Sequence, residues 1–243
     1  MPENVDNELR SAARAKEEFL AMVSHELRTP LTAIKGSLGI MLEGATGEFN
    51  EEQKDFLLTA QRNTDRLEML INNVLDYQRL EGGSYEFKLV PGDVNQVVVR
   101  VKADMDLLAQ KKGLSLVIIK AGDLPAVMMD QERLKRAVRN LVDNAIKFTI
   151  KGEISLITSF EQGQVFIRVK DTGIGIKPED KPKLFERFFQ VSSGSGRSTG
   201  SLGLGLVIAR KIIDAHQGDI TVESEPGVGS TFSICLPVQK GPG

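Results

Sequence analysis

The sequence predicts an α+β chain: an N-terminal helical hairpin that forms a dimeric four-helix bundle, followed by a two-layer α/β sandwich. Three observations carry this. Through the first 80 residues apolar side chains recur at intervals of four and three. Gly82 and Gly83 in "RLEGGSYEF" then interrupt the helical pattern, which sets the domains at 1–81 and 82–243. Beyond them, alternating apolar and polar runs are interleaved with helical runs, the mixture of a sheet with helices on one face.

The first helix is expected from Asp6 to about Glu43, with Gly36 and Gly39 isolated enough to be tolerated. Its apolar stripe runs through Phe19, Val23, Leu27, Leu31, Ile34, Leu38 and Met41. Pro30 has no N–H for the carbonyl of Glu26, and its ring crowds that carbonyl, so a bend is expected there. Gly44 and Gly47 in "EGATGEFNEEQ" break the pattern, and Asn50 with Gln53 has the spacing of a capping box opening a second helix. That helix carries Phe56, Ala60, Asn63, Leu67, Leu70, Val74 and Tyr77, an unbroken heptad with one polar member. Two such stripes in one hairpin leave half of each seam wet, and a homodimer buries them. The alternative is that the hairpin packs on the rest of its own chain.

In the second domain the strand-like runs are "YEFKLV", "LSLVIIK", "EISLITSF", "QVFIRVKD", "DITVESE" and "STFSICLP". The helical runs are Val94 to Lys111, Gln131 to Phe148 and Leu204 to His216. "EISLITSF-EQG-QVFIRVKD" has the form of a hairpin with a short Gly-containing loop.

Bulk composition removes several function classes. Hydrophobic residues at 41% and charged residues at 26% are ordinary for a globular protein. A net charge of −2, no tryptophan and two tyrosines give no case for a nucleic-acid partner. The single cysteine, Cys235, excludes an internal disulfide and is expected buried in its strand. No apolar run approaches the ~20 residues that span a bilayer, and the polar N-terminus is no signal peptide. A soluble, cytoplasmic fragment is expected, cut from a longer parent that is itself compatible with membrane attachment.

Four stretches carry candidate chemistry. In "RLKRAVRNLVDNAIKFT", Asn140 and Asn144 project from one helix face, and a carboxamide oxygen is a hard, uncharged ligand suited to Mg²⁺ beside a triphosphate. Lys147 can meet a phosphate as a point charge, and the alternative for the whole stretch is an exposed polar face. In "VKDTGIGI" a strand runs into Asp171, a potential acceptor for an amino group, with Gly173 and Gly175 allowing close backbone approach; a plain turn is the alternative. In "TGSLGLGLVIARKI", glycines precede a helix whose first amides would face an anion, without the lysine of a Walker A loop. "KPEDKPKLFERFFQVSSGSGRSTGS" is long enough to be a lid, its three phenylalanines packing as a small core beneath it. Near the N-terminus, "HELRT" begins like a zinc-protease helix but has Thr29 where the second histidine is required, and His216 at "DAHQGD" fits a helix end better than a metal.

Taken in order, these motifs resemble the catalytic core of sensor histidine kinases of two-component signalling, from about Phe19 to Pro237. "FLAMVSHELRTPL" is similar to the family's H box, "NLVDNAIKFT" to its N box, "DTGIGI" to G1, "LFERFFQ" to the F box and "GLGLVIARKI" to G2, while "GVGSTFSICLP" looks like the closing strand. The resemblance implies a dimerisation and histidine-phosphotransfer hairpin followed by a Bergerat-type ATP-binding domain. It implies ATP and Mg²⁺ as cofactors, a homodimer, a response-regulator receiver domain acting in trans, and a sensory domain upstream, outside this sequence. It carries over His25 as phospho-acceptor, Glu26 as its acid/base partner and Thr29 as the position tied to dephosphorylating the regulator. Asn144 and Asn140 fall on the metal and phosphate shell, Lys147 and Phe148 near phosphate, sugar and base, and Asp171 with Gly173 and Gly175 on the adenine site. Gly203, Leu204 and Gly205 fall on G2, and Arg187 is the expected charge near the γ-phosphate. The G2 stretch departs from the usual spelling at Ser201 and Leu202, and Gln190 stands where a basic residue is frequent. A scaffold that binds ATP or only dimerises is the alternative in function.

Overall fold

A computed structural model describes residues 22–24, 26–45, 47–81, 86–190 and 203–238. The chain divides into two compact units, Met1–Tyr85 and Glu86–Gly243.

The first unit is a helical hairpin. Residues 22–24 are helical, and helix α1 runs over 26–42. Its helical pattern continues through Pro30, so the proline does not break the helix. The turn uses Gly44 (φ 84°) and Gly47 (φ 106°) in the left-handed region. Helix α2, Glu51–Glu81, opens on the capping box: Asn50 N donates to Gln53 Oε1 at 2.9 Å and Gln53 N to Asn50 Oδ1 at 2.8 Å.

The hairpin's own seam differs from the apolar stripes read above. On α1, Leu31 and Leu38 are buried while Leu27 and Ile34 are exposed. On α2 a 4-3 row of covered positions, Leu57, Gln61, Thr64, Glu68, Ile71, Leu75 and Gln78, lies beside the apolar heptad, whose C-terminal members Leu70, Val74 and Tyr77 are covered as well. Polar contacts line this seam: Arg28 Nη2 donates to Asn72 Oδ1 at 2.8 Å, and Lys35 Nζ lies 2.8 Å from Asp65 and 3.1 Å from Glu68. Thr64 is buried, and its hydroxyl is satisfied by donating to the Ala60 carbonyl at 2.9 Å. The heptad beside it is open at its N-terminal end, with Phe56 69% and Leu67 48% exposed. A single hairpin therefore leaves a row of large apolar side chains in water.

The second unit is a two-layer α/β sandwich. Strands β2 (Leu114–Ile119), β4 (Gly152–Glu161), β5 (Gln164–Asp171), β7 (Gly229–Pro237) and β6 (Asp219–Glu225) form the sheet in that order. The β2–β4 pair is parallel and the others antiparallel. Helices α3 (Val94–Lys111), α4 (Gln131–Phe148) and α5 (Gly205–Ala215) cover one face, burying Val98, Leu141, Ile208 and Ile212 against Ile154, Ile167 and Ile234. Asp93 and Asp130 cap α3 and α4 by accepting from Asn95 N and Arg133 N. The β4–β5 hairpin turns on Gln162 (φ 51°) and Gly163 (φ 78°), two left-handed residues that match the strand twist.

Two strand expectations change. "YEFKLV" contributes only Val90 to β1 (Val90–Gly92), and β1 pairs with an unanticipated β3, Val127–Met129. At three residues each, neither is long enough to display a period. Cys235 sits half-buried on β7, its thiol pushed up by burial.

Candidate functional site

Strand β5 ends at Asp171, the one buried carboxylate among the described residues. Its Oδ1 accepts from Gly173 N at 2.8 Å and Ser230 N at 3.3 Å. Burial pushes this carboxyl above the usual aspartate value, with the two backbone donors pulling the other way. The side chain is a fixed acceptor in a dry place, suited to reading a donor group. Gly173 lies so close to the wall that a Cβ would stand 2.7 Å from the Phe148 carbonyl oxygen and 2.8 Å from Asp171 Oδ1. Gly175 (φ 68°) is pressed against the Glu225 carbonyl, so both conformation and space require glycine there.

Helix α4 is the common wall. At its C-terminal end the Phe148 carbonyl accepts from Ile174 N at 3.2 Å, joining the helix to the 171–176 loop. Two turns earlier, Asn140 Nδ2 donates to the Gly205 carbonyl at 3.0 Å, joining it to the start of α5 and leaving the Asn140 carboxamide oxygen as an acceptor. Asn144 lies between these two junctions and is half-buried. Lys147 Nζ stands 5.3 Å from the Phe148 ring centroid. The structure thus gathers Asn140, Asn144, Lys147, Phe148, Asp171, Gly173 and Gly175 along one helix and the loop beside it. Asp143, on the same helix, has its carboxyl raised by burial against the opposing charges of Lys147, Arg139 and Lys112.

Helix α5 begins at Gly205 after buried Leu204, with no side-chain cap. Its first amides are available to an anion, and 11 residues give it an appreciable dipole. Gly203 (φ 68°) abuts the F-box backbone: a Cβ would lie 2.5 Å from the Phe189 carbonyl oxygen. The three F-box phenylalanines do not form a common small core. Phe185 is half-buried with the Arg210 guanidinium 5.2 Å from its ring, whereas Phe188 is 64% exposed in a left-handed conformation (φ 63°). Positive φ turns Phe188 outward, a conformation bulky residues seldom adopt. Arg187 is exposed. The Ser/Gly-rich half of the expected lid, 191–201, and Leu202 lie outside the described residues.

In the hairpin unit, His25 lies outside the described residues. Glu26 and Thr29 are exposed, three residues apart on one face of α1. His216 is structural: its Nδ1 donates to the Ile212 carbonyl at 2.7 Å and its Nε2 accepts from Asp130 N at 2.9 Å. Both ring nitrogens are thereby used, closing α5 onto the cap of α4.

Ser230 and Ser224 were not among the expected site residues. Ser230 supplies a backbone donor to Asp171, and Ser224 Oγ accepts from Ile176 N at 2.8 Å. The repeated glycines of "GVGST" were the available signal, since they mark a strand approached closely by other backbone.

Residues 15–83 match the family described as "His Kinase A (phospho-acceptor) domain", and residues 129–240 match "Histidine kinase-, DNA gyrase B-, and HSP90-like ATPase". The signal transduction histidine-protein kinase BarA of Escherichia coli K12 is 37% identical over 239 residues, covering 96% of this chain and 26% of BarA. The sensor histidine kinase RcsC of the same organism is 38% identical over 231 residues, covering 93% of this chain and 24% of RcsC. The autoinducer 2 sensor kinase/phosphatase LuxQ of Vibrio cholerae is 35% identical, covering 96% of this chain and 27% of LuxQ. The chain thus spans about a quarter of the length of these relatives. Among solved structures, full-length ShkA in complex with AMPPNP superposes with a TM-score of 0.73 at 32% identity, over 93% of this chain and 47% of ShkA. The catalytic domain of the histidine kinase ThkA superposes with a TM-score of 0.55 at 28% identity, over 64% of this chain and all of that domain.

Proposed function

Because this chain belongs to the sensor histidine kinases of two-component signalling, we propose that it binds Mg-ATP, phosphorylates itself on His25 and passes the phosphoryl group to an aspartate of a receiver protein in trans. The observation that carries this reading is the fixed acceptor Asp171, beside a glycine-lined loop on the same helical wall as the open N-terminus of α5. A base donor group would meet Asp171, and the phosphates would meet the α5 amides, Lys147 and Arg187. Phe148 would stand near sugar and base, and Gly203, Leu204 and Gly205 would let the phosphates approach backbone.

The donor set also fits a magnesium ion. Among the described residues no three His, Cys, Asp or Glu side chains come together, and the oxygens offered are the carboxamides of Asn144 and Asn140. Bound with ATP, Mg²⁺ would neutralise charge on the β- and γ-phosphates. The chain's own residues do the positioning. The attacking group is a neutral imidazole nitrogen of His25, whose lone pair is the nucleophile. As its bond to the γ-phosphorus forms, the bond from that phosphorus to the β,γ-bridging oxygen breaks and ADP leaves. Glu26 would accept the proton on the other ring nitrogen and hold the tautomer. An aspartate carboxylate of the receiver then attacks the phosphohistidine, breaking the N–P bond and restoring the imidazole.

The exposed heptad around Phe56 and Leu67 supports a homodimer through the hairpin unit. We place the boundary between phosphotransfer and ATP-binding domains at 81/82, and the working compartment in the cytoplasm.

Asn144→Asp is expected to weaken Mg-ATP binding by about tenfold or more, because it adds a negative charge beside a triphosphate. The same variant should still sediment as a dimer. Calorimetry returning wild-type affinity contradicts the metal assignment, and a monomeric wild-type chain contradicts the seam. Thr29→Ala is expected to spare autophosphorylation while slowing dephosphorylation of the receiver, an activity named for LuxQ. Equal loss of both in a chase experiment makes Thr29 structural instead.

A further inference from the structure

Asp171 on β5, Ser230 on β7 and Ser224 on β6 are direct cross-strand partners, so their side chains form one row on a single face of the sheet. The row is hydrogen-bonded along its length. Ser230 N donates to Asp171 Oδ1 at 3.3 Å, and the hydroxyl oxygens of Ser230 and Ser224 stand 2.9 Å apart. Ser224 Oγ is also 2.9 Å from the Gly229 carbonyl oxygen and 2.8 Å from Ile176 N.

A hydroxyl has one proton and two lone pairs, and these contacts assign all three. The Gly229 carbonyl can only accept, so the Ser224 proton goes to it. The Ile176 amide occupies one lone pair. The second is left for the Ser230 hydroxyl, which must then be the donor in the Ser–Ser bond. With its proton committed to Ser224, Ser230 has only acceptor capacity left beside the Asp171 carboxylate, which is itself an acceptor. Ser224 also anchors the loop, because Ile176 follows the left-handed Gly175 packed on Glu225, and Gly227 N closes the other side on the Ile174 carbonyl at 2.8 Å.

We infer that Ser224 is a positioning residue that selects 6-amino over 6-oxo purines, by fixing the direction of the Ser230 hydroxyl and the floor of the 173–176 loop. This rests on the reading that the Asp171 end of the row receives the base. A 6-amino group brings protons to a pair of acceptors. A 6-oxo group brings lone pairs to the same acceptors and finds no donor.

The test is calorimetric titration of the 243-residue chain and of Ser224→Ala and Ser224→Thr with ATP and with GTP, in Mg²⁺. Wild type should prefer ATP. Ser224→Ala should lose ATP affinity roughly tenfold while GTP affinity holds or rises, so that the preference collapses by the same factor. Ser224→Thr keeps the hydroxyl and should restore the preference. A merely structural serine would lower both affinities together, so an unchanged ATP-to-GTP ratio in Ser224→Ala overturns the inference. Should Ser224→Ala lack a cooperative melt, Ser230→Ala carries the same test, since it removes the second acceptor directly; an unchanged ratio there overturns the inference equally. A wild-type chain that binds neither nucleotide overturns the nucleotide-site reading itself.

Discussion

Substituting His25 with glutamine is expected to abolish autophosphorylation completely while leaving ATP affinity within about twofold of wild type. The reason is chemical. An imidazole nitrogen carries a lone pair in the ring plane that attacks phosphorus, whereas a carboxamide nitrogen has its pair delocalised into the carbonyl and is no nucleophile. Glutamine keeps polarity and approximate length, so a loss of label reports the missing nucleophile more than a disturbed helix. ATP affinity is expected to hold because Asp171, the N-box asparagines and the start of α5 belong to the other compact unit. Label persisting in His25→Gln, measured with γ-labelled ATP, places the acceptor elsewhere.

Asp171→Asn is expected to weaken ATP binding about 100-fold or more, about 2.7 kcal/mol, while leaving the melting temperature at neutral pH equal to or above wild type. The binding loss follows from geometry. Oδ1 is committed to Gly173 N and Ser230 N, so an asparagine keeping those bonds must point its amino group where the carboxylate presented its second oxygen. A donor then faces the base amino group. The stability gain follows from the direction of the aspartate's shift. Burial raises its pKa in the folded chain above the 3.8 of an ordinary aspartate, so the folded state holds its proton more tightly than the unfolded state does. The charge therefore costs stability at neutral pH, and the cost fades as pH falls through the raised value towards 3.8. The neutral asparagine escapes it. The advantage of Asp171→Asn in thermal melts should thus shrink on acidification, and a difference that grows instead contradicts the assignment of burial as the cause. A residue whose ionised form strains the fold yet serves the ligand is the expected signature of a binding site.

Local signals in the sequence translated into structure most directly. Asn50 and Gln53 announced the start of α2 because a capping box is complete within four residues. The β4–β5 hairpin was visible in the same way, from a turn and its flanking alternation. Hydrogen bonds from Asn140 to Gly205 and from Ile174 to Phe148 tie the G2 and G1 stretches to the N-box helix α4. What escaped depended on pairing or on polar residues. The seam holding α1 to α2 runs through Gln61, Thr64 and Glu68, which apolar periodicity does not register, so the more regular heptad beside it drew attention first. Of that heptad, Phe56 and Leu67 stay exposed while Leu70, Val74 and Tyr77 are covered. The Asp171–Ser230–Ser224 row exists only once the β5–β7–β6 register is set, and no spacing along the chain encodes it. Phe188 was counted with its neighbours as core because composition cannot reveal a left-handed backbone.

The central claim is that this chain moves the γ-phosphoryl group of ATP onto a histidine nitrogen. The most direct test is the chemical stability of the label after incubation of the wild-type chain with γ-labelled ATP and Mg²⁺. A phosphohistidine N–P bond predicts a label lost in acid and retained in alkali. A label stable in acid, or intact ATP binding with no label at all, contradicts the claim, the second outcome leaving a nucleotide-binding scaffold.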